Sequence, residues 1–190
     1  IPGQGNSTVY QIDVSGNKSY ALKSYPDRLT DHRPRLETEF KVLQMLHRHG
    51  IKNVPRPIEK NNDLNLGFYE WIEGKKLTDP AIDDLDQVVT LAEKLYALSQ
   101  RLDGTRMDNA SEACLSAQVL VNQIEKRLFR LKEEGKYFHG LPQFLEEIFE
   151  PLWEKVKDES ISLWPEESRY KNLPREKKTL SPSDFGFHNC

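Results

Sequence analysis

The period of the hydrophobic pattern changes once along this chain, and that change limits the folds open to it. Up to residue 74 the apolar side chains mostly alternate, as they do in half-buried strands, with one helical interruption. From residue 79 they recur every three to four positions, as on helices. A chain written in this order builds a small antiparallel sheet first and packs helices after it, an α+β arrangement.

Within the first part, Tyr10, Ile12 and Val14 share a face, Ser15-Gly16-Asn17 supplies a turn, and a second run goes from Ser19 to Tyr25, which predicts a hairpin. Pro34 at a first helical position, then Leu36, Phe40, Leu43 and Leu46 with Gly50 beyond, predicts an amphipathic helix and its stop. Val54 to Ile58 and Leu64 to Ile72, around Lys60-Asn61-Asn62-Asp63, predict a second hairpin. In the second part Asp79 is placed to cap a helix with Pro80 at its first position and Ile82, Leu85, Val88, Val89, Ala92, Leu95 and Leu102 along it. A further helix is expected from about Ser111 to Glu134, stopping at Gly135. A third is expected from Leu141, bent or broken at Pro151, and then a charged loop from Pro165 to Lys178. The composition shift at Gly74–Pro80 divides residues 1–74 from residues 75–190, and a cleft between two such lobes is a usual place for a ligand.

Charge and cysteine content narrow the function. Lys and Arg number 27 against 30 Asp and Glu, for a formal charge of −3, which lacks the basic excess that a phosphate polymer requires, so nucleic acid is not expected as a partner. No apolar run approaches the roughly 18 residues of a membrane helix, and no signal-peptide pattern opens the chain, so no membrane partner is expected. Two cysteines, Cys114 and Cys190, are too few for a disulfide scaffold or a zinc cluster and suit a reducing cytoplasm. Oligomeric state is not legible.

Four segments could carry chemistry. Gly3-Gln4-Gly5-Asn6-Ser7-Thr8 precedes a strand, where glycines let backbone N–H groups approach an anion; alone it also reads as an ordinary hairpin turn. Ala21 and Lys23 lie two apart on a strand, so a small side chain and an ammonium share one face, with room for a flat ring and its phosphates. Lys23 taken alone reads first as a solvated strand lysine, and Glu37 and Glu39 as a solvated helix face. Of the two carboxylates Glu39 is the better partner for Lys23, because it directly precedes Phe40 on the side that turns to the sheet. Phe68 to Gly74 is an extended connector whose backbone groups could meet a purine edge, or a plain edge strand entering a linker. In Ser181-Pro182-Ser183-Asp184-Phe185-Gly186-Phe187-His188-Asn189, Asp184 could orient a hydroxyl while Asn189 holds a metal or braces the carboxylate; as an isolated pair they also suit Asx turns. His188 reads as structural, and His47 and His49 do not face one way.

Taken in order, a glycine loop, a strand lysine, a helix glutamate, a connector and Asp-x-x-x-x-Asn resemble the aminoglycoside phosphotransferase and choline kinase branch of the protein-kinase-like fold. Gly5 to Tyr10 looks like that branch's nucleotide loop, Glu70 to Gly74 like its hinge and Asp184 to Asn189 like its catalytic loop. The resemblance implies a bilobal fold, with a sheet N-lobe and a mostly helical C-lobe. It also implies a phosphotransferase that uses ATP and Mg2+ on a small-molecule hydroxyl acceptor. It further implies that Gly3, Gly5, Asn6, Ser7, Val9 and Ala21 surround the nucleotide, and that Lys23 contacts the α/β-phosphates and is held by Glu39. Backbone at Glu70 and Ile72 would bind adenine, Asp184 would orient the acceptor hydroxyl, and Asn189 would ligate magnesium. The chain departs from the branch at Pro182 and Ser183, where a histidine and a glycine are usual, and at Gly186-Phe187, where His-Pro is common. It begins inside the nucleotide loop and stops at Cys190, before the family's metal-binding aspartate, so the fold is expected to be truncated at both ends and part of a longer protein. The departures keep open a nucleotide-binding regulatory module without turnover, while a protein kinase is disfavoured by the lack of an arginine before Asp184. The acidic Asp83, Asp84 and Asp86 and the basic run Arg175 to Lys178 leave the acceptor open among amino sugars, amino alcohols and other small hydroxyl compounds.

Overall fold

Alternation in the first quarter produces two strands, β1 (Thr8–Val14) and β2 (Lys18–Ser24), paired antiparallel from Thr8 opposite Ser24 to Val14 opposite Lys18. The computed structural model describes residues 7–16, 18–74, 79, 81–102, 107–110 and 112–181. Gly16 turns the hairpin at φ +96°, a conformation costly for any residue with a Cβ. The second hairpin pairs β3 (Pro57–Asn61) with β4 (Leu66–Glu70), and β4 also pairs with β2, giving the sheet order β1-β2-β4-β3.

This hairpin starts about three residues later than its hydrophobic pattern suggested. The Asn61 side chain accepts from the Leu64 N–H at 2.9 Å and Asn65 adopts φ +52°, so the turn falls on residues 62–65 and Lys60 lies inside a strand. Pro57, which cannot donate to a ladder, opens β3 at the sheet edge, next to a register irregularity between Pro57 and Glu59.

Between the hairpins runs α1 (Arg35–Arg48), with Pro34 as the residue before the helix and Leu36, Phe40, Met45 and Leu46 buried. Its end is a Schellman closure: Gly50 at φ +82° donates to the His47 carbonyl at 3.1 Å, and Ile51 donates to that of Leu46 at 3.0 Å. His47 and His49 spend ring nitrogens on the carbonyls of Val54 and Met45, at 2.9 and 2.8 Å.

The later helices form where expected, but their starts are corrected. α2 (Ile82–Arg101) begins three residues past Asp79; the Asp84 carboxylate reaches back to the Ala81 N–H at 2.9 Å, so the first turn is closed from within. Leu102, just past its end, is buried. α3 (Ala117–Gly135) starts after Ser116, whose hydroxyl accepts from Val119 N–H at 3.3 Å. Leu115 stays outside because its carbonyl accepts from Leu173 N–H at 2.6 Å. Pro151 does not break the third helix. A π-helical turn (Leu145–Phe149), closed by Glu150 N–H on the Leu145 carbonyl, joins α4 (Leu141–Phe144) to α5 (Glu150–Leu163) and places the proline in the first turn of α5. The expected charged loop contains α6 (Glu166–Tyr170) and a 3-10 turn (Arg175–Lys177), held by Arg169 on the Ile161 carbonyl at 2.8 Å.

The chain divides into two compact units, one running to Leu98 and the other from Ser99 to Ser183. In the first, Tyr25, Leu36, Phe40, Leu46, Ile51 and Tyr69 are buried with the sheet and α1; in the second, Leu102, Val121 and Leu145 are. Among the described residues no helix is long and apolar enough to cross a membrane.

Candidate active site

Strand alternation puts Ala21 and Lys23 on one face of β2, and Tyr25 continues that spacing just past the strand end. The Lys23 ammonium reaches both oxygens of Glu39 on α1, at 2.9 and 2.7 Å, so the carboxylate grips it bidentately. The side chains are 25% and 35% exposed, which leaves the ammonium open to a further anionic partner while its position is restrained. Its nitrogen also lies 5.1 Å from the centre of the Tyr25 ring.

Beneath the pair the phenols of Tyr25 and Tyr69 share a buried hydrogen bond of 2.7 Å. Burial, and next the negative charge of Glu39, push the Tyr25 hydroxyl far above the usual phenol range. Burial also pushes Tyr69 up, to about 12. Both stay neutral at any physiological pH, so neither phenol adds a charge beside the Lys23–Glu39 pair. Tyr69 lies beside Phe40, ring centres 6.0 Å apart, and over Gly67, where an added Cβ would come within 2.5 Å of the ring. That close approach requires glycine.

Ahead of α1, Asp31 accepts from the backbone and guanidinium of Arg33 and from Arg35 at 2.6–3.1 Å. The Arg33 hydrogen bonds above all, with those of Arg35, hold its carboxyl well below the usual range. This anchors the chain where α1 begins. Sequence reasoning missed a second pair: Glu37 of α1 bonds Lys60 of β3, which holds the Glu37 carboxyl below its ordinary value. The signal was present in the Glu37/Glu39 spacing, since carboxylates two apart on a helix point to opposite flanks and call for two partners.

The other expected site residues fall as follows. Val9 is directly opposite Lys23, and Ala21 is opposite Tyr69. Ser7 immediately precedes β1 and is half-buried. The Glu70 N–H is engaged by the Arg56 carbonyl at 2.9 Å, so that N–H is not open to a ligand. Among the described residues, the Ile72 backbone makes no hydrogen bond. Trp71 closes onto Glu73 at 2.8 Å. Gly3, Gly5, Asn6, Asp184 and Asn189 lie outside the described residues, as do Pro182 and Ser183. Among the described residues no group of three His, Cys, Asp or Glu is placed to hold a metal ion.

Comparison with known families matches the chain to the phosphotransferase enzyme family over residues 1–170. The stretch from Ser181 to Asn189 lies beyond the matched residues. None of the curated proteins compared matches the chain. With the antiparallel sheet, the helix-held strand lysine and a match over most of its length, the chain belongs to the phosphotransferase enzyme family and has its protein-kinase-like fold.

Proposed function

We propose that this protein moves the γ-phosphate of ATP to a hydroxyl of a small molecule. The observation that carries the reading is the bidentate Lys23–Glu39 pair beside the small Ala21 on one strand face, in a member of a phosphotransferase family. A restrained, partly exposed ammonium suits a polyphosphate, and a small neighbour leaves room for a flat ring. The Ile72 backbone, unengaged among the described residues, suits a purine edge, and Glu70 would contribute its carbonyl. Magnesium, when bound, would neutralise charge on the transferring phosphoryl group, with Asn189 assigned to hold it. Asp184 is assigned to orient the acceptor hydroxyl and accept its proton as the phosphate oxygen bond forms. Residues 1–74 are assigned to the nucleotide and residues 75–190 to the acceptor and catalytic loop.

Pro182-Ser183 before Asp184 supports a second reading, a nucleotide-binding regulatory module without turnover. Transfer of labelled γ-phosphate to a panel of amino sugars and amino alcohols separates them. Lys23→Ala should remove most Mg-ATP affinity. Asp184→Asn should leave that affinity within a few-fold and lower kcat on the order of a hundredfold. Asn189→Ala should raise the magnesium requirement. An active parent with a fully active Asp184→Asn variant defeats the catalytic assignment; ATP binding without transfer favours the module.

A further inference from the structure

The helix that carries Glu39 is held from both sides. At about 100° per residue, Leu36 and Phe40 form the buried ridge of α1, and Glu37 and Glu39 project from opposite flanks of it. The sheet matches this with two lysines. Lys23 of β2 and Lys60 of β3 are both opposite Gly67 of β4, one on each side of it. Each ammonium takes the carboxylate on its own flank, and each also lies near an aromatic ring: Lys23 5.1 Å from Tyr25 and Lys60 5.5 Å from Phe40. Gly67 contributes no side chain to the row, and the Tyr69 ring fills the place.

Two flank contacts oppose each other in torque. A helix tied on one flank alone is free to roll about its buried ridge. At a side-chain radius of about 5–6 Å, a roll of roughly 20° carries a carboxylate about 2 Å. That distance is enough to turn the bidentate Lys23–Glu39 contact into a loose one.

We propose that Glu37 and Lys60 are positioning residues for the Lys23–Glu39 pair, fixing the roll of α1 so that Glu39 meets Lys23 with both oxygens. The pair is assigned no contact with nucleotide or acceptor; its effect passes through the helix. Its consequence for catalysis rests on the assignment of Lys23 to the nucleotide phosphates, whereas the mechanical coupling does not.

The test uses the full chain with Lys60→Gln, Glu37→Gln and the exchanged pair Glu37→Lys with Lys60→Glu. Brief acetylation with acetic anhydride, mapped by mass spectrometry, reads the freedom of Lys23 against Lys157, which is paired elsewhere with Glu154 and Glu125. Either single variant should speed Lys23 acetylation about fivefold relative to Lys157, and the exchanged pair should return it near the parent rate. A thermal melt shows that each variant is folded at the labelling temperature. In the active chain the same single variants should raise the KM for Mg-ATP about fivefold and leave the acceptor KM unchanged. Lys23 acetylation that is unchanged in folded Lys60→Gln overturns the proposal. Faster acetylation with an unchanged Mg-ATP KM supports the coupling and overturns the phosphate role of Lys23.

Discussion

Replacing Gly67 by alanine should destabilise the protein, against the usual sign of that change. In a strand at ordinary φ, exchanging glycine for alanine stabilises by about 0.5–1 kcal/mol, because the unfolded chain has less freedom to lose. Here the new Cβ would sit 2.5 Å from both the Cε2 and the hydroxyl oxygen of Tyr69 and 2.7 Å from its Cζ, closer than real Cβ contacts come. The ring cannot yield cheaply. Tyr69 is 3% exposed, packs beside Phe40 and shares its hydroxyl with Tyr25 at 2.7 Å. Overpacking of this kind costs about 1–3 kcal/mol, and a neutral buried hydrogen bond lost with it about 0.5–1.5. Set against the backbone gain, a net loss of about 2 kcal/mol remains, a fall in Tm of roughly 4–8 °C for a chain of this size. Thermal and urea unfolding of Gly67→Ala measure it, and the same change in a Tyr69→Ala background is the control. There the obstructing ring is gone and the alanine should become neutral or stabilising. A Gly67→Ala protein as stable as the parent, or an equal penalty in both backgrounds, would refute the argument.

Two further outcomes follow from named groups. Because Tyr25 and Tyr69 titrate above their unfolded values, their contribution is complete below about pH 10. It fades as pH rises through the Tyr69 value of about 12, at about 1.4 kcal/mol per pH unit for each phenol that ionises only in the unfolded chain. Urea midpoints between pH 9.5 and 11.5 should therefore fall, and a Tyr25→Phe, Tyr69→Phe double variant should fall less steeply; equal slopes would contradict the burial argument. Ser116→Ala removes the hydroxyl that accepts from Val119 N–H at the start of α3 and should cost about 1 kcal/mol, read as a lower urea midpoint at unchanged m-value.

Local chemistry was enough to write much of this molecule from its sequence. Alternation around Ser15-Gly16 determines the first hairpin, and the Leu36–Phe40–Leu46 stripe with Gly50 determines α1 and its stop, because each depends on neighbours within a few residues. That Glu39 lies on a sheet-facing flank beside Phe40 was also legible from the helix period, whereas the lysine it meets was decided by the sheet. What the sequence left open were features decided by partners distant along the chain. Leu115 looks helical and is not, because its carbonyl is taken by Leu173 N–H. Residues 166–170 look like loop, yet close as a helix whose Arg169 is tied to Ile161. Lys60 looked like turn until Asn61 and Asn65 moved the turn along the chain, and only then could Gly67 bring Lys60 and Lys23 to either side of one strand. Periodicity specifies the face of an element that a residue occupies, whereas sheet register and helix roll, set by packing across 16 to 44 residues, decide which groups meet on it.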